Sequence, residues 1–309
     1  MNSSVQSNSE HPTRTALVLG GGGSTGNAWL IGVIAGLFDA ALDVTTADLT
    51  IGTSAGATAA AQIANATPTE LLAATLAVAP QQRTRLAGSP GGRGAVSPMT
   101  DHLARFQKII AESEDIADMR RRMAAAVRER DAASDGSWAP QWRATVAARL
   151  PDAHWPERRM LITAVDARTS EPVVFDRYSG VEVVDAVAAS TSGGGLPYRI
   201  GDGLYIDGGY RSNAENADLA VGYERVLVLS PFGGRSLYPG EWGVHLATQV
   251  DALRAGGSAV ETVFPESDSE HMFGANAMDF SLRPAAAQAG YDQGRARAEQ
   301  LTEFWRSIR

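Results

Sequence analysis

From Thr15 to Phe38 the chain carries no charged side chain, and four consecutive glycines, Gly20 to Gly23, stand inside that run. A membrane-spanning helix needs about 20 unbroken, mainly apolar residues, and the stretch from Gly20 to Asn27 is a polar, glycine-rich break in the middle. A strand, a loop and a helix fit instead. Ala16-Leu17-Val18-Leu19 has the look of a strand buried on both faces, and Ala28 to Ala41 carries apolar residues at helical spacing. The unit then recurs: Asp48 to Gly52 predicts a second strand, and the alanine-rich stretch from Ala55 to Asn65 a second buried helix. Two strand-to-helix junctions near the start of a chain point to an α/β domain with a parallel sheet.

Composition agrees and removes several chemistries. The chain has 309 residues, 44% hydrophobic and 20% charged, enough to bury a sizeable core. Its net charge is −8, which argues against holding nucleic acid by bulk electrostatics. It has no cysteine, so disulfides, thiolate metal sites and cysteine nucleophiles are excluded. Lys108 is the sole lysine and follows Gln107, so no phosphate-binding loop ending in Gly-Lys-Ser/Thr can be written. No two histidines stand at i, i+4 spacing; neither a metal nor a cofactor is expected. Residues 1–13 are polar, without the basic and apolar regions of a signal peptide, and read as a disordered tail on a cytoplasmic chain. Residues 14–309 read as a single domain.

Within that domain, residues 83–157 change character. Glycine, serine and proline around Pro90 to Pro98 precede a helical stretch from Asp101 to Asp131, and Trp138, Trp142 and Trp155 follow. Seven basic and eight acidic side chains between 101 and 135 read as a solvated helical face, a substrate cap being the alternative, and the tryptophans as packing in the core or cap. Strands are expected again at Met160 to Val165, Pro172 to Phe175, Leu204 to Ile206 and Arg225 to Leu229, with a short helix at Val183 to Ala189 and a closing helix from Pro284 to Ile308.

Three constellations can carry chemistry. The loop Gly20 to Gly26 lets backbone N–H groups approach an anion at a helix N-terminus. Gly21, Gly23 and Gly26 also satisfy G-x-G-x-x-G, so a dinucleotide pyrophosphate competes with an oxyanion as its ligand. Gly52-Thr53-Ser54-Ala55-Gly56 is a G-x-S-x-G pentapeptide at the second junction, the context in which a serine on a sharp turn becomes a nucleophile. No acidic residue stands at the carboxyl end of that strand to bind a ribose, which favours oxyanion loop plus nucleophile. Asp207, followed by Gly208 and Gly209 after a strand, can point a carboxylate back along the sheet edge. Asp166 is the second choice, and His154, His245 and His271 are weaker candidates for the base, each without a flanking motif.

Glycine loop, Gly-Thr-Ser-Ala-Gly and Asp-Gly-Gly in that order resemble the patatin-like phospholipases, over roughly residues 15 to 225. The resemblance implies a three-layer α/β/α hydrolase with a mainly parallel sheet and a helical cap-like insertion. It implies a serine–aspartate dyad without histidine, Ser54 as nucleophile and Asp207 as its base, with Gly21, Gly22, Gly23 and Ser24 as the oxyanion loop. The implied substrate is an acyl ester of a lipid or phospholipid, met in transient contact with a membrane or micelle. Two departures stand out: Thr25 occupies a place where many members carry Arg or Lys, and Ala189 to Pro197 resembles the family's Ala-Ser-rich segment before the Asp strand but is glycine-rich where the family is proline-rich. A carboxylesterase for small esters with the same dyad is the first alternative, and a non-catalytic phosphate- or nucleotide-binding module the second.

Overall fold

The structure is a computed structural model and describes residues 13–77, 99–193 and 195–306. The expected N-terminal tail, the Gly/Ser/Pro-rich segment up to Pro98, Gly194 and the last residues of the closing helix lie outside the described residues, except Thr13.

Among the described residues eight strands form one mixed sheet: β1 (Thr15–Leu19), β2 (Leu49–Gly52), β3 (Arg159–Asp166), β4 (Pro172–Phe175), β5 (Tyr198–Ile200), β6 (Gly203–Asp207), β7 (Arg225–Leu229) and β8 (Ala259–Val263). Hydrogen-bonded neighbours follow the path β5-β6-β3-β2-β1-β7-β8, with β4 also paired to β3. The run from β3 to β8 is parallel, while β4, β5 and β6 pair antiparallel. β1 lies between β2 and β7 and, apart from Thr15 at its start, is fully buried, because both faces are covered. Leu17 and Leu19 join one apolar cluster with α1 (Gly23–Asp39), α2 (Ala55–Ile63) and the closing helix, whereas Ala16 and Val18 join another beneath the helix Leu246–Ala255. Helices on both faces of a mainly parallel sheet make the expected three-layer architecture.

Numbered in chain order, the remaining α-helices among the described residues are α3 (Pro68–Leu76), α4 (Met99–Ala111), α5 (Ile116–Ala132), α6 (Trp138–Ala147), α7 (Val183–Ser190), α8 (Leu246–Ala255) and α9 (Arg283–Arg306). The single helix expected from Asp101 to Asp131 is two. Asp115 breaks it, adopting an extended backbone and capping α5 by accepting from the Asp118 N–H at 2.7 Å. Nor is this stretch solvated all round. Met119, Met123 and Val127 recur every four residues and are buried against Val165, Leu204 and Ile206, so most of the charges lie on the outer face; Arg120 is an exception, half-buried and donating to the carbonyls of Ser170 and Arg211. Trp142 and Trp155 pack on the main core and donate to the carbonyls of Ala188 and Val181 at 3.2 and 2.7 Å. Among the described residues no helix is long and apolar enough to cross a membrane.

Strand registers explain how distant motifs meet. Ile162 of β3 lies opposite both Gly52 of β2 and Phe175 of β4; Ala164 lies opposite both Asp207 of β6 and Val173 of β4. β4 therefore occupies one edge of β3, and β2 and β6 share the other, approaching end to end. The last residue of β2 and the last of β6 face β3 two positions apart, which brings the serine motif and Asp207 together.

Candidate active site

Ser54 follows β2 and caps α2. Its backbone is held at φ 53° and ψ −114°, a conformation that costs a non-glycine residue about 1–3 kcal/mol. The turn is possible because α2 passes close over β1: a side chain at Gly56 would collide with the carbonyl of Leu19. Thr53 donates its N–H to that same carbonyl at 3.1 Å, and Ser54 donates its N–H to Ser190 Oγ at 2.9 Å. The strained turn is thus pinned from β1 and from the end of α7.

The Ser54 hydroxyl donates to Asp207 Oδ2 at 2.8 Å, and the other carboxylate oxygen accepts from the Gly209 N–H at 2.8 Å. Gly193 lies beside the same carboxylate, since a Cβ built on it would be 3.1 Å from Oδ2. Burial raises the Asp207 pKa from 3.8 to about 6, against the opposing pull of the hydrogen bonds from Gly209 and Ser54. Over the Asp-Gly-Gly turn, Tyr238 donates to the Gly209 carbonyl at 3.2 Å. Phe106 of α4 meets the rings of Tyr210 and Tyr238 edge-on, with centroids 5.2 and 5.9 Å away.

The glycine loop lies on the other side of Ser54. A Cβ built on Gly21 would be 3.6 Å from Ser54 Cβ, so the loop passes close beside Ser54, one side-chain carbon away from contact. α1 begins at Gly23, inside the stretch expected to be loop, because the Gly26 N–H closes a turn onto Gly22 O at 3.0 Å. The N–H of Gly21, one of the expected oxyanion donors, is given to Ala214 O at 2.8 Å. The N–H groups of Gly22, Gly23 and Ser24 have no acceptor among the described residues. They stand in the first turn of α1, where orphan N–H groups and the helix dipole favour an anion.

Thr25, by contrast, is buried, with its N–H on Ala277 O at 3.0 Å and its hydroxyl 3.4 Å from the same carbonyl. The cation nearest the loop in the hydrogen-bond network comes from far along the chain. Arg283, opening α9, donates to Ser24 O at 2.6 Å, Ser24 Oγ at 3.1 Å and Asn27 Oδ1 at 3.1 Å. Burial lowers its pKa to about 10, with Arg149 acting in the same direction.

The alternative bases are elsewhere. Asp166 accepts from the N–H groups of Arg168 and Thr169 and caps the turn after β3. His154 pairs with Asp152, His245 with the Tyr238 carbonyl and His271 with the Asp268 carbonyl; Ser54 has Asp207 as its side-chain partner. His11 and the side chain of His102 lie outside what is described. Among the described residues no group of three or more His, Asp or Glu could hold a metal ion. Arg283 lies outside the motifs, with no local pattern to mark it, and Ser190 falls in the Ala189 to Pro197 segment without a role having been assigned to it; only the folded chain brings them to Ser24 and Ser54.

Fold and site together define an α/β hydrolase-type domain with a serine on a strand-to-helix turn. A family model described as patatin-like phospholipase matches residues 17–220, more than half of the chain, and the chain belongs to that family. No curated protein matches the sequence. Among solved structures, VipD from Legionella pneumophila aligns over 94% of this chain and 68% of its own, at 13% identity and a TM-score of 0.42. The type III effector ExoU aligns over 93% of this chain and 54% of its own, at 16% identity and a TM-score of 0.37. ExoU of Pseudomonas aeruginosa in complex with SpcU gives 92%, 53%, 16% and 0.31 for the same quantities. The chain therefore spans about two thirds of VipD and about half of ExoU.

Proposed function

We propose that this chain is a serine acyl hydrolase acting on carboxylic esters of lipids, with Ser54 as nucleophile and Asp207 as its base. Membership of the patatin-like phospholipase family supports the lipid substrate. The single observation that carries the mechanism is the 2.8 Å hydrogen bond from the Ser54 hydroxyl to Asp207 on a strained turn beside a glycine loop.

Ser54 Oγ attacks the ester carbonyl carbon as its proton passes to Asp207 Oδ2. The carbonyl oxygen takes the electron pair and is received by the N–H groups of Gly22, Gly23 and Ser24, each such donor being worth about 10²–10³ in rate. Collapse of the tetrahedral adduct breaks the bond to the leaving alcohol, which takes the proton from Asp207 and leaves acyl-Ser54. Water then gives a proton to Asp207 and its oxygen to the acyl carbon, and Ser54 is released protonated. The carboxylate must be ionised to accept and protonated to donate, and a pKa of about 6 suits both near neutrality. Gly21 contributes space beside Ser54, and α4, packed over the Asp-Gly-Gly turn, forms part of the wall a substrate passes.

The test is intact-mass spectrometry after exposure to a fluorophosphonate, on wild type, Ser54→Ala and Asp207→Asn. One adduct on the wild type, none on Ser54→Ala and slow labelling of Asp207→Asn are expected. A folded wild type without an adduct, or an adduct that survives Ser54→Ala, overturns the mechanism.

A further inference from the structure

Between the Asp-Gly-Gly turn and β7 runs the polar segment Asn213-Ala214-Glu215-Asn216, to which the dyad chemistry assigns no role. Asn216 is fully buried and left-handed, at φ 56° and ψ 41°. Its Nδ2 lies within reach of Thr53 Oγ1 at 2.9 Å, Gly208 O at 3.1 Å, Asn213 O at 3.2 Å and Thr163 Oγ1 at 3.4 Å. Two of these are carbonyl oxygens, which only accept. Its Oδ1 faces Arg211 Nη1 at 3.0 Å and Ser212 Oγ at 2.8 Å, and a guanidinium only donates. The amide therefore has one orientation, with its two N–H groups turned toward the site. The Thr53 hydroxyl, which accepts from Asn216, also shares a hydrogen bond with Thr163 Oγ1 at 2.9 Å.

Thr53 immediately precedes the nucleophile, and Gly208 immediately follows the base. One buried amide thus bridges the two turns whose spacing fixes the bond between Ser54 and Asp207. The same segment reaches the glycine loop, where Ala214 O holds the Gly21 N–H at 2.8 Å. Behind it, Arg211 pairs with Asp218, and Gln249 of α8 donates to Ser212 Oγ and Asp218 Oδ1, each at 3.0 Å. We propose that Asn216 is a positioning residue that sets the geometry of the Ser54–Asp207 pair, a role that rests on the dyad reading above.

Without the amide, Gly208 O and Thr53 Oγ1 lose a buried donor, and the strained Ser54 turn can relax away from Asp207. The Ser54 hydrogen bond is one of the forces that lower the Asp207 pKa, so lengthening it moves the acid limb of reactivity to higher pH. A purely structural residue would change melting temperature without moving that limb.

The experiment measures the rate of Ser54 labelling by a fluorophosphonate against pH, for wild type, Asn216→Ala and Thr53→Val. In Thr53→Val the amide keeps its other three acceptors, while its link to the serine turn is cut together with the Thr53–Thr163 hydrogen bond. Folding is checked by circular dichroism. Asn216→Ala is expected to label about 10²-fold more slowly, the order of loss that follows a misplacement near 1 Å, with its acid limb at higher pH. Thr53→Val is expected to shift the same way with a smaller loss. Folded Asn216→Ala with the wild-type rate and pH profile overturns the proposal; if that variant does not fold, a wild-type rate and profile in Thr53→Val overturns it instead. A wild type without a Ser54 adduct removes the dyad itself, and the positioning role falls with it.

Discussion

In the proposed mechanism Asp207 answers two demands that conflict. Chemistry asks for a carboxylate near neutrality in its affinity for a proton, and burial supplies this by raising its pKa from 3.8 to about 6. The folded state then binds its proton more tightly than the unfolded chain between those two values. Stability therefore falls as pH rises from about 4 through 6, and above that range the fold bears the full cost of an ionised, buried group. Each pKa unit corresponds to about 1.4 kcal/mol, so the cost is on the order of 2–3 kcal/mol. Asparagine keeps the shape and can still accept from the Gly209 N–H, but does not ionise. Asp207→Asn is accordingly expected to lose turnover and yet melt at a higher temperature than wild type at pH 8, with the gain vanishing near pH 4. Melting curves at the two pH values check this; a variant less stable than wild type at pH 8 would show that burial is not what raises the carboxylate. Glu215, buried behind Gly20 and raised from 4.5 to about 7 with Ser230 as its hydrogen-bond donor, bears the same kind of cost.

At the scale of elements, α1 and α9 are joined by glycines. Side chains at Gly32 and Gly36 of α1 would strike the carbonyls of Ala287 and Tyr291, and side chains at Gly290 and Gly294 of α9 those of Trp29 and Val33. Helix propensity alone says that Gly→Ala in a helix interior stabilises by about 1 kcal/mol. Packing says the opposite here, because a methyl forced into a filled contact costs about 1–3 kcal/mol. Gly290→Ala is therefore expected to lower the melting temperature, and a rise would show that the helices are not in close contact. The glycines are written at four-residue spacing in both helices, but periodicity reports only that each is a helix, and nothing local says that the two spacings face each other. The same limit separates what could be read elsewhere. β1, β2 and the serine turn follow from apolar runs and small residues, since local sterics decide them. Ser190, Arg283 and Asn216 do not, because their roles depend on partners 136, 259 and 163 residues away. Asp207 occupies an intermediate case: its turn is legible in the two following glycines, but its contact with Ser54 requires β6 to run antiparallel on the edge of β3 that β2 also uses.

For the whole molecule, the end of the family match at residue 220 is not a folding boundary. β1 stands between β2 and β7, and β7 begins at Arg225. Without the last third of the chain, β1 would have an unpaired edge, and Leu17, Leu19 and the wholly buried Trp29 would lose the cover of Phe273, Ala286 and Leu301. The glycine loop would lose its tethers as well: Gly20 donates to Leu229 O, Thr25 to Ala277 O, and Arg283 holds Ser24. Ser54 and Asp207 both lie before residue 220, so a chain ending there retains the whole dyad and the whole glycine loop in sequence, without the surfaces that place them. Such a chain is expected to show no cooperative thermal transition and no fluorophosphonate adduct at Ser54. Calorimetry and intact mass decide the matter together: a cooperative melt accompanied by labelling of Ser54 would mean that residues 17–220 fold and assemble the site alone, and that the C-terminal strands and helices are an addition to a self-sufficient hydrolase.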